Sequence, residues 1–139
     1  MLTEIQINLI RESAEHLAES NIASTNTFYA NLFEVAPSVR TLFPDDMFEQ
    51  SGKLWESIVT VVESADNLSA IESDLKALGA RHVGYGAEPE HYVVVTKVLI
   101  ETISVVMNEK WSEDYQQAWQ KALEAVCAVM LQGAAEIGS

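Results

Sequence analysis

The sequence predicts an all-α protein, and three observations carry that prediction. Apolar residues recur at intervals of three and four along most of the chain, which is the spacing of one helix face. Capping residues, prolines and glycines interrupt this pattern at intervals that suit helices. The run Val93–Val95 would also suit a strand, but the sequence offers no second strand to pair with it. We therefore expect about seven helical elements and no sheet.

The first two helices are defined by signals at their ends. Thr3 and Gln6 have the spacing of a capping box, which predicts a helix from there to about residue 18. A second helix is predicted from Ile22 up to Pro37, because a proline can open a helix but cannot lie inside one.

A short turn and a long helix follow. Residues 37–43 allow one or two helical turns, and the segment Pro44–Asp46 is a loop by composition. The long helix ends near residue 66. Its apolar side consists of Leu54, Ile58, Val61, Val62 and Ala65.

The next helix carries His82. Ser69 and Glu72 predict a capping box at its start, and Gly84 and Gly86 predict its end. This helix is expected to be short.

Two further helices complete the chain. Pro89 suits the first position of a helix that continues to about Met107. Ser112 is expected to cap the last helix, which runs almost to Gly133.

Size and charge limit the functions open to the chain. Its 139 residues fit one domain, spanning residues 1–139. With 21 acidic and 8 basic residues the formal net charge is -13, so nucleic acids and anionic membranes are not expected partners. A leader peptide and an apolar stretch of about 20 residues are not found, which favours the cytoplasm. Cys127 is the only cysteine, so an internal disulfide is excluded.

His82 has two interpretations. Ile71, Leu75 and Leu78 share its helix face, so the imidazole lies among apolar side chains. It is either a core histidine paired with a neighbour's carbonyl or an axial ligand to a haem iron.

Five segments in order carry a resemblance. They are Thr27–Phe33, Leu42–Phe43, Leu78–Gly86, Pro89–Tyr92 and Ala118–Ala122. Together they resemble single-domain bacterial haemoglobins, which are close to the globin half of flavohaemoglobins. The resemblance covers nearly the whole chain. It implies the globin fold, a three-over-three helical sandwich around haem with helix D absent or minimal.

The resemblance also implies the cofactor and its proximal side. The cofactor would be haem b with its iron, held without covalent bonds, since one cysteine cannot form the C-x-x-C-H attachment motif. His82 matches the proximal ligand to iron, and Phe43 matches the aromatic that wedges against the porphyrin. Tyr92 matches a tyrosine that contacts the proximal histidine.

On the opposite face of the haem, the resemblance implies a gas-binding pocket with two polar residues and one apolar residue. Tyr29 and Gln50 match the residues that contact the gas ligand. Leu54 lies one turn beyond Gln50 and would form the roof of the pocket. Lys53 matches a base that reaches a haem propionate, although an exposed surface lysine is an equal alternative.

Two positions depart from the family pattern. Flavohaemoglobins complete the proximal network with a glutamate, where this chain has Ala134, although Glu136 is close in sequence. Leu123 replaces a tyrosine common among relatives. The first departure argues against strong peroxidase-like or nitric-oxide-consuming activity.

Three functions are consistent with these residues. The leading expectation is reversible binding of dioxygen, with nitric oxide and carbon monoxide as further ligands, for storage, delivery or sensing. The alternative is a nitric oxide dioxygenase that depends on a separate reductase, because the chain has no Gly-rich dinucleotide motif; whether the protein is an enzyme stays open. A haem-free helical interaction module is the third, and the presence of His82, Tyr29 and Gln50 argues against it.

Overall fold

The computed structural model describes residues 2–138, which form α-helices joined by turns and contain no strand. The predicted all-α class is confirmed. Three short 3₁₀ turns, Pro37–Leu42, Leu68–Ile71 and Asn108–Lys110, lie between helices. The α-helices are α1 (Glu4–Glu19), α2 (Asn21–Val35), α3 (Phe48–Glu63), α4 (Glu72–Gly84), α5 (Pro89–Met107) and α6 (Glu113–Gly138).

The capping residues, prolines and glycines predicted from the sequence lie at the ends of α1, α4 and α5. The hydroxyl of Thr3 accepts from the N–H of Gln6 at 3.1 Å, and the Thr3 N–H donates to the Gln6 side chain at 3.0 Å. Pro89 occupies the first turn of α5. Gly86 follows α4 with a φ of 88°, a left-handed conformation that glycine adopts without strain.

The predicted capping box of Ser69 and Glu72 is wrong. Ser69 lies inside a 3₁₀ turn, and its hydroxyl donates to the Asn67 side chain at 2.6 Å. Helix α4 begins at Glu72 after Ile71, without a side-chain cap. The hydroxyl is occupied because serine and asparagine side chains bond readily to near neighbours in turns.

The last helix is longer than predicted, since α6 continues through Gly133 to Gly138. A methyl group on Gly133 would overlap the backbone of Lys76, and one on Gly79 would overlap the backbone of Met130. Gly133 is therefore a point of backbone contact between α4 and α6 rather than a helix stop.

Helices α5 and α6 organise the core. Helix α5 packs on α2, and α6 packs on α1 and α4. The Trp119 side chain is fully buried, and its indole N–H donates to the Ser13 hydroxyl at 2.8 Å, which ties α6 to α1. In the part of the chain that the structure describes, none of the helices is both long enough and apolar enough to span a bilayer.

Candidate functional site

The buried hydrophobic residues form two separate clusters. The larger cluster surrounds Trp119 and contains Tyr29, with Phe43 and Leu54 packed at its edge. The smaller cluster contains Tyr92 and Leu75 together with residues of α6. Helix α3 packs on α1 and α2, whereas α4 packs on α6, and within residues 2–138 contact between α3 and α4 is at most marginal. These two helices therefore pack chiefly on other helices and not on each other.

The predicted proximal histidine has a defined tautomer. His82 is half-buried on α4, and its Nδ1 lies 2.7 Å from the carbonyl oxygen of Leu78, one turn earlier. A carbonyl can only accept a hydrogen bond, so in the neutral imidazole Nδ1 carries the proton and Nε2 carries the lone pair. The imidazole is thus oriented, with Nε2 as its coordinating atom.

Tyr92 lies beside this imidazole. The two ring centroids are 6.2 Å apart, and the Tyr92 side chain is 8 % exposed. Burial raises the pKa of the Tyr92 phenol, and the neighbouring Cys127 thiol raises it further once that thiol is ionised. The phenol therefore stays protonated at neutral pH.

The acidic residue near the family's glutamate position has another partner. The carboxylate of Glu136 lies 3.3 Å from the ammonium of Lys76 on α4. Ala134 is half-buried on α6 and brings no charge. The departure noted in the sequence therefore remains, because the carboxylate nearest in sequence forms an ion pair with a lysine.

Tyr29 and Gln50 are in direct contact. The Gln50 side-chain amide donates to the phenol oxygen of Tyr29 at 3.3 Å. Burial raises the pKa of Tyr29, and the bond from Gln50 lowers it by a smaller amount. Since the phenol oxygen accepts this bond, the phenol proton is left for another acceptor.

Aromatic rings hold Tyr29 in place. Its centroid lies 5.0 Å from that of Phe28, 6.0 Å from that of Phe33 and 5.5 Å from that of Phe43. Phe43 thus contacts one of the predicted ligand-binding residues directly. Edge and offset contacts at these distances are favourable for aromatic rings.

The two other predicted residues of α3 differ in their surroundings. Leu54 is half-buried and borders a cavity of about 10 Å³ beside Phe28 and Trp55. Lys53 is exposed, and its ammonium contacts none of Tyr29, Gln50 or His82.

Arg40 contacts the loop that carries Phe43, and the sequence did not predict this role. Its guanidinium donates to the carbonyl oxygens of Phe43, Pro44 and Asp45 at 3.3, 2.9 and 3.2 Å. Its central carbon also lies 5.0 Å from the ring centroid of Phe33. The sequence carries no signal for this role, because an arginine in a short turn is most often a surface residue.

Comparison with known proteins identifies the family. The family model described as Globin matches residues 26–130. The chain therefore belongs to the globin family, and the sequence resemblance is confirmed. Leghemoglobin-1 of Lupinus luteus is 27 % identical over 94 % of each chain. The flavohemoprotein of Vibrio cholerae is 29 % identical over 88 % of this chain, which covers 32 % of that protein.

A solved structure agrees with this result. An engineered carbene transferase from Rhodothermus marinus, provisionally assigned as a nitric oxide dioxygenase, superposes with a TM-score of 0.87. It is 27 % identical, and the match covers 99 % of this chain and 96 % of the other. The globin fold predicted from the sequence is confirmed.

Proposed function

We propose that this chain is a haem protein that binds dioxygen reversibly, with His82 as the axial ligand to the iron of a non-covalent haem b. One observation carries the proposal: Nδ1 of His82 is engaged by the Leu78 carbonyl, which leaves the Nε2 lone pair for a metal. A core histidine would make the same bond to a carbonyl, but His82 is only half-buried, and among the described residues its Nε2 has no hydrogen-bond partner.

The surrounding residues fit a flat, apolar group. The buried apolar residues form two clusters, and α3 and α4 pack chiefly on other helices, which is compatible with a porphyrin between them. Val83 and Tyr85 next to His82 are 45 % and 57 % exposed. Large apolar side chains in water are tolerated singly, but two of them beside His82 suit an apolar ligand. A haem bound between α3 and α4 would account for both observations.

Five side chains would hold the group. His82 would ligate the iron and Phe43 would wedge against the porphyrin, while Tyr92 would support the imidazole. Leu54 would roof the pocket, and Lys53 would pair with a propionate from its exposed position. When bound, haem would supply a ferrous iron able to bind dioxygen.

Tyr29 and Gln50 would select the gas. Gln50 donates to the Tyr29 oxygen, so the Tyr29 hydroxyl can direct its proton toward a diatomic ligand. Because bound dioxygen would carry more negative charge than bound carbon monoxide, a hydroxyl donor at this position would favour dioxygen. A hydrogen bond of this kind contributes about 1 kcal/mol or somewhat more in a dry pocket.

A second candidate is nitric oxide dioxygenation, which joins nitric oxide and dioxygen with one electron to give nitrate. The similarity to a flavohemoprotein and to the Rhodothermus protein favours it. A separate reductase would supply the electron. The Leu78 carbonyl at Nδ1 of His82 ranks it below dioxygen binding, because a carbonyl raises the basicity of the imidazole less than a carboxylate would.

Visible spectra of the purified chain with added haemin test the proposal. The wild type and the control His16→Ala are expected to give the same ferrous and ferrous carbonyl bands. His82→Ala is expected to lose them. If His82→Ala keeps the wild-type ferrous spectrum, the axial assignment is wrong. Sustained turnover of nitric oxide with a generic reductase would instead favour the dioxygenase.

A further inference from the structure

Arg40 binds the backbone of the loop that carries Phe43. One guanidinium nitrogen donates to the carbonyl oxygens of Phe43 and Pro44 at 3.3 and 2.9 Å. The second terminal nitrogen donates to the carbonyl oxygen of Asp45 at 3.2 Å. Three consecutive carbonyls therefore share one cation, which fixes the backbone on the C-terminal side of the Phe43 ring.

The same cation lies over a second ring. The central carbon of the Arg40 guanidinium is 5.0 Å from the centroid of Phe33, within the range of a cation–π contact. Phe33 lies 5.5 Å from Phe43 and 6.0 Å from Tyr29, and Phe43 lies 5.5 Å from Tyr29. Arg40 thus restrains two of the rings that surround the Tyr29 phenol.

We infer that Arg40 is a positioning residue, which sets the direction of the Tyr29 hydroxyl by restraining Phe43 and Phe33. This inference rests on the proposed function, in which that hydroxyl is the donor to the gas. Arginine suits the role because its planar fork donates from both arms while its flat face covers a ring. A lysine ammonium is a point charge on a flexible stem and cannot do both.

Arg40→Lys tests the inference, and Arg11→Lys is its matched control. Arg11 also binds carbonyls, since it donates to Val62 at 3.4 Å and to Glu63 at 3.2 Å. Those carbonyls lie at the opposite end of α3 from Gln50, about 18 Å away at 1.5 Å per residue. Both substitutions remove arginine–carbonyl bonds and keep the charge, but only one removes them beside Tyr29.

The infrared stretching band of carbon monoxide on the ferrous protein reports the donor directly. Arg40→Lys is expected to shift this band to higher frequency and broaden it, because the hydroxyl is less well directed. Dioxygen dissociation is expected to accelerate about threefold to tenfold, which corresponds to a loss of about 1 kcal/mol. Arg11→Lys is expected to keep the wild-type band and rate, even where its stability falls.

A double-mutant cycle separates positioning from general loosening. In the Tyr29→Phe background, Arg40→Lys is expected to have no further effect on the band, because the hydroxyl it directs is gone. An unchanged band in the single variant, or an equal shift in both backgrounds, overturns the inference. Phe33→Leu, which removes only the stacked ring, is expected to give a smaller shift in the same direction and serves if Arg40→Lys does not fold. A wild type that takes up no haem overturns the proposed function itself.

Discussion

The side-chain amide of Gln50 donates a hydrogen bond to the phenol oxygen of Tyr29 across 3.3 Å, which joins α3 to α2. The direction of this bond matters more than its strength. The amide occupies a lone pair of the phenol oxygen and leaves the phenol proton unused. Two side chains therefore combine into a single directed donor.

Tyr29→Phe is expected to accelerate dioxygen dissociation about fivefold or more, because it removes a donor that contributes about 1 kcal/mol or somewhat more. Stopped-flow mixing of the oxygenated protein with carbon monoxide measures the rate. Tyr115→Phe, on α6, is the control and is expected to match the wild type. A Tyr29→Phe rate equal to that of the wild type would show that the phenol does not face the gas.

The fold is expected to lose stability at alkaline pH through Tyr29. Burial raises the pKa of this phenol above its ordinary value of 10.0. The folded chain thus holds the proton more tightly than the unfolded chain, so the contribution is fully present below pH 10.0 and falls as the pH rises toward the folded pKa. Urea unfolding from about pH 8 to about pH 11 measures the slope. Tyr29→Phe should have a shallower slope, and identical slopes would contradict this account.

Gly133→Ala is expected to lower the free energy of unfolding by about 1–3 kcal/mol. The added methyl group would overlap the Lys76 backbone and push α4 away from α6. Gly52→Ala is the matched control, because a methyl group there meets no other atom within 4 Å. That variant should gain up to about 1 kcal/mol from helix propensity alone. Urea denaturation measures the free energy of unfolding of both variants. Losses of equal size would show that the contact of Gly133 with the Lys76 backbone is not important for stability.

Ser13→Ala is expected to lower the free energy of unfolding by about 1–3 kcal/mol, because it leaves the buried Trp119 N–H without its acceptor. Ser57→Ala, at an exposed position on α3, is the control and should change stability by less than about 0.5 kcal/mol. Thermal unfolding by circular dichroism compares them. A Ser13→Ala protein as stable as the control would mean that the indole N–H finds another acceptor.

Features that depend on a few neighbouring residues were predictable from the sequence. The capping box of Thr3 and Gln6 and the proline that opens α5 act within one turn, so their residue types are sufficient. The family resemblance predicts Tyr29 and Gln50 on one side of the pocket, and the two side chains are hydrogen-bonded to each other. Their roles toward a gas, like that of His82 toward iron, stay predictions.

Features decided by a distant element were not predictable. Gly133 has the residue type of a helix stop, but the Lys76 backbone, nearly sixty positions away, is what requires a glycine there. Arg40 gains its role from a loop backbone and the Phe33 ring, and neither contact follows from residue spacing. The predicted cap at Ser69 is wrong for a local reason, because the Ser69 hydroxyl donates to the Asn67 side chain instead.

The contacts at Gly79 and Gly133 have a mechanical consequence. With no side chain between the two backbones at these points, α4 and α6 have no soft layer that could deform when one of them tilts. A small rotation of α6 would therefore be transmitted to α4 and would displace His82, which lies on α4 three residues after Gly79. Distant substitutions along α6 are therefore expected to change the orientation of His82, the residue proposed to bind the iron.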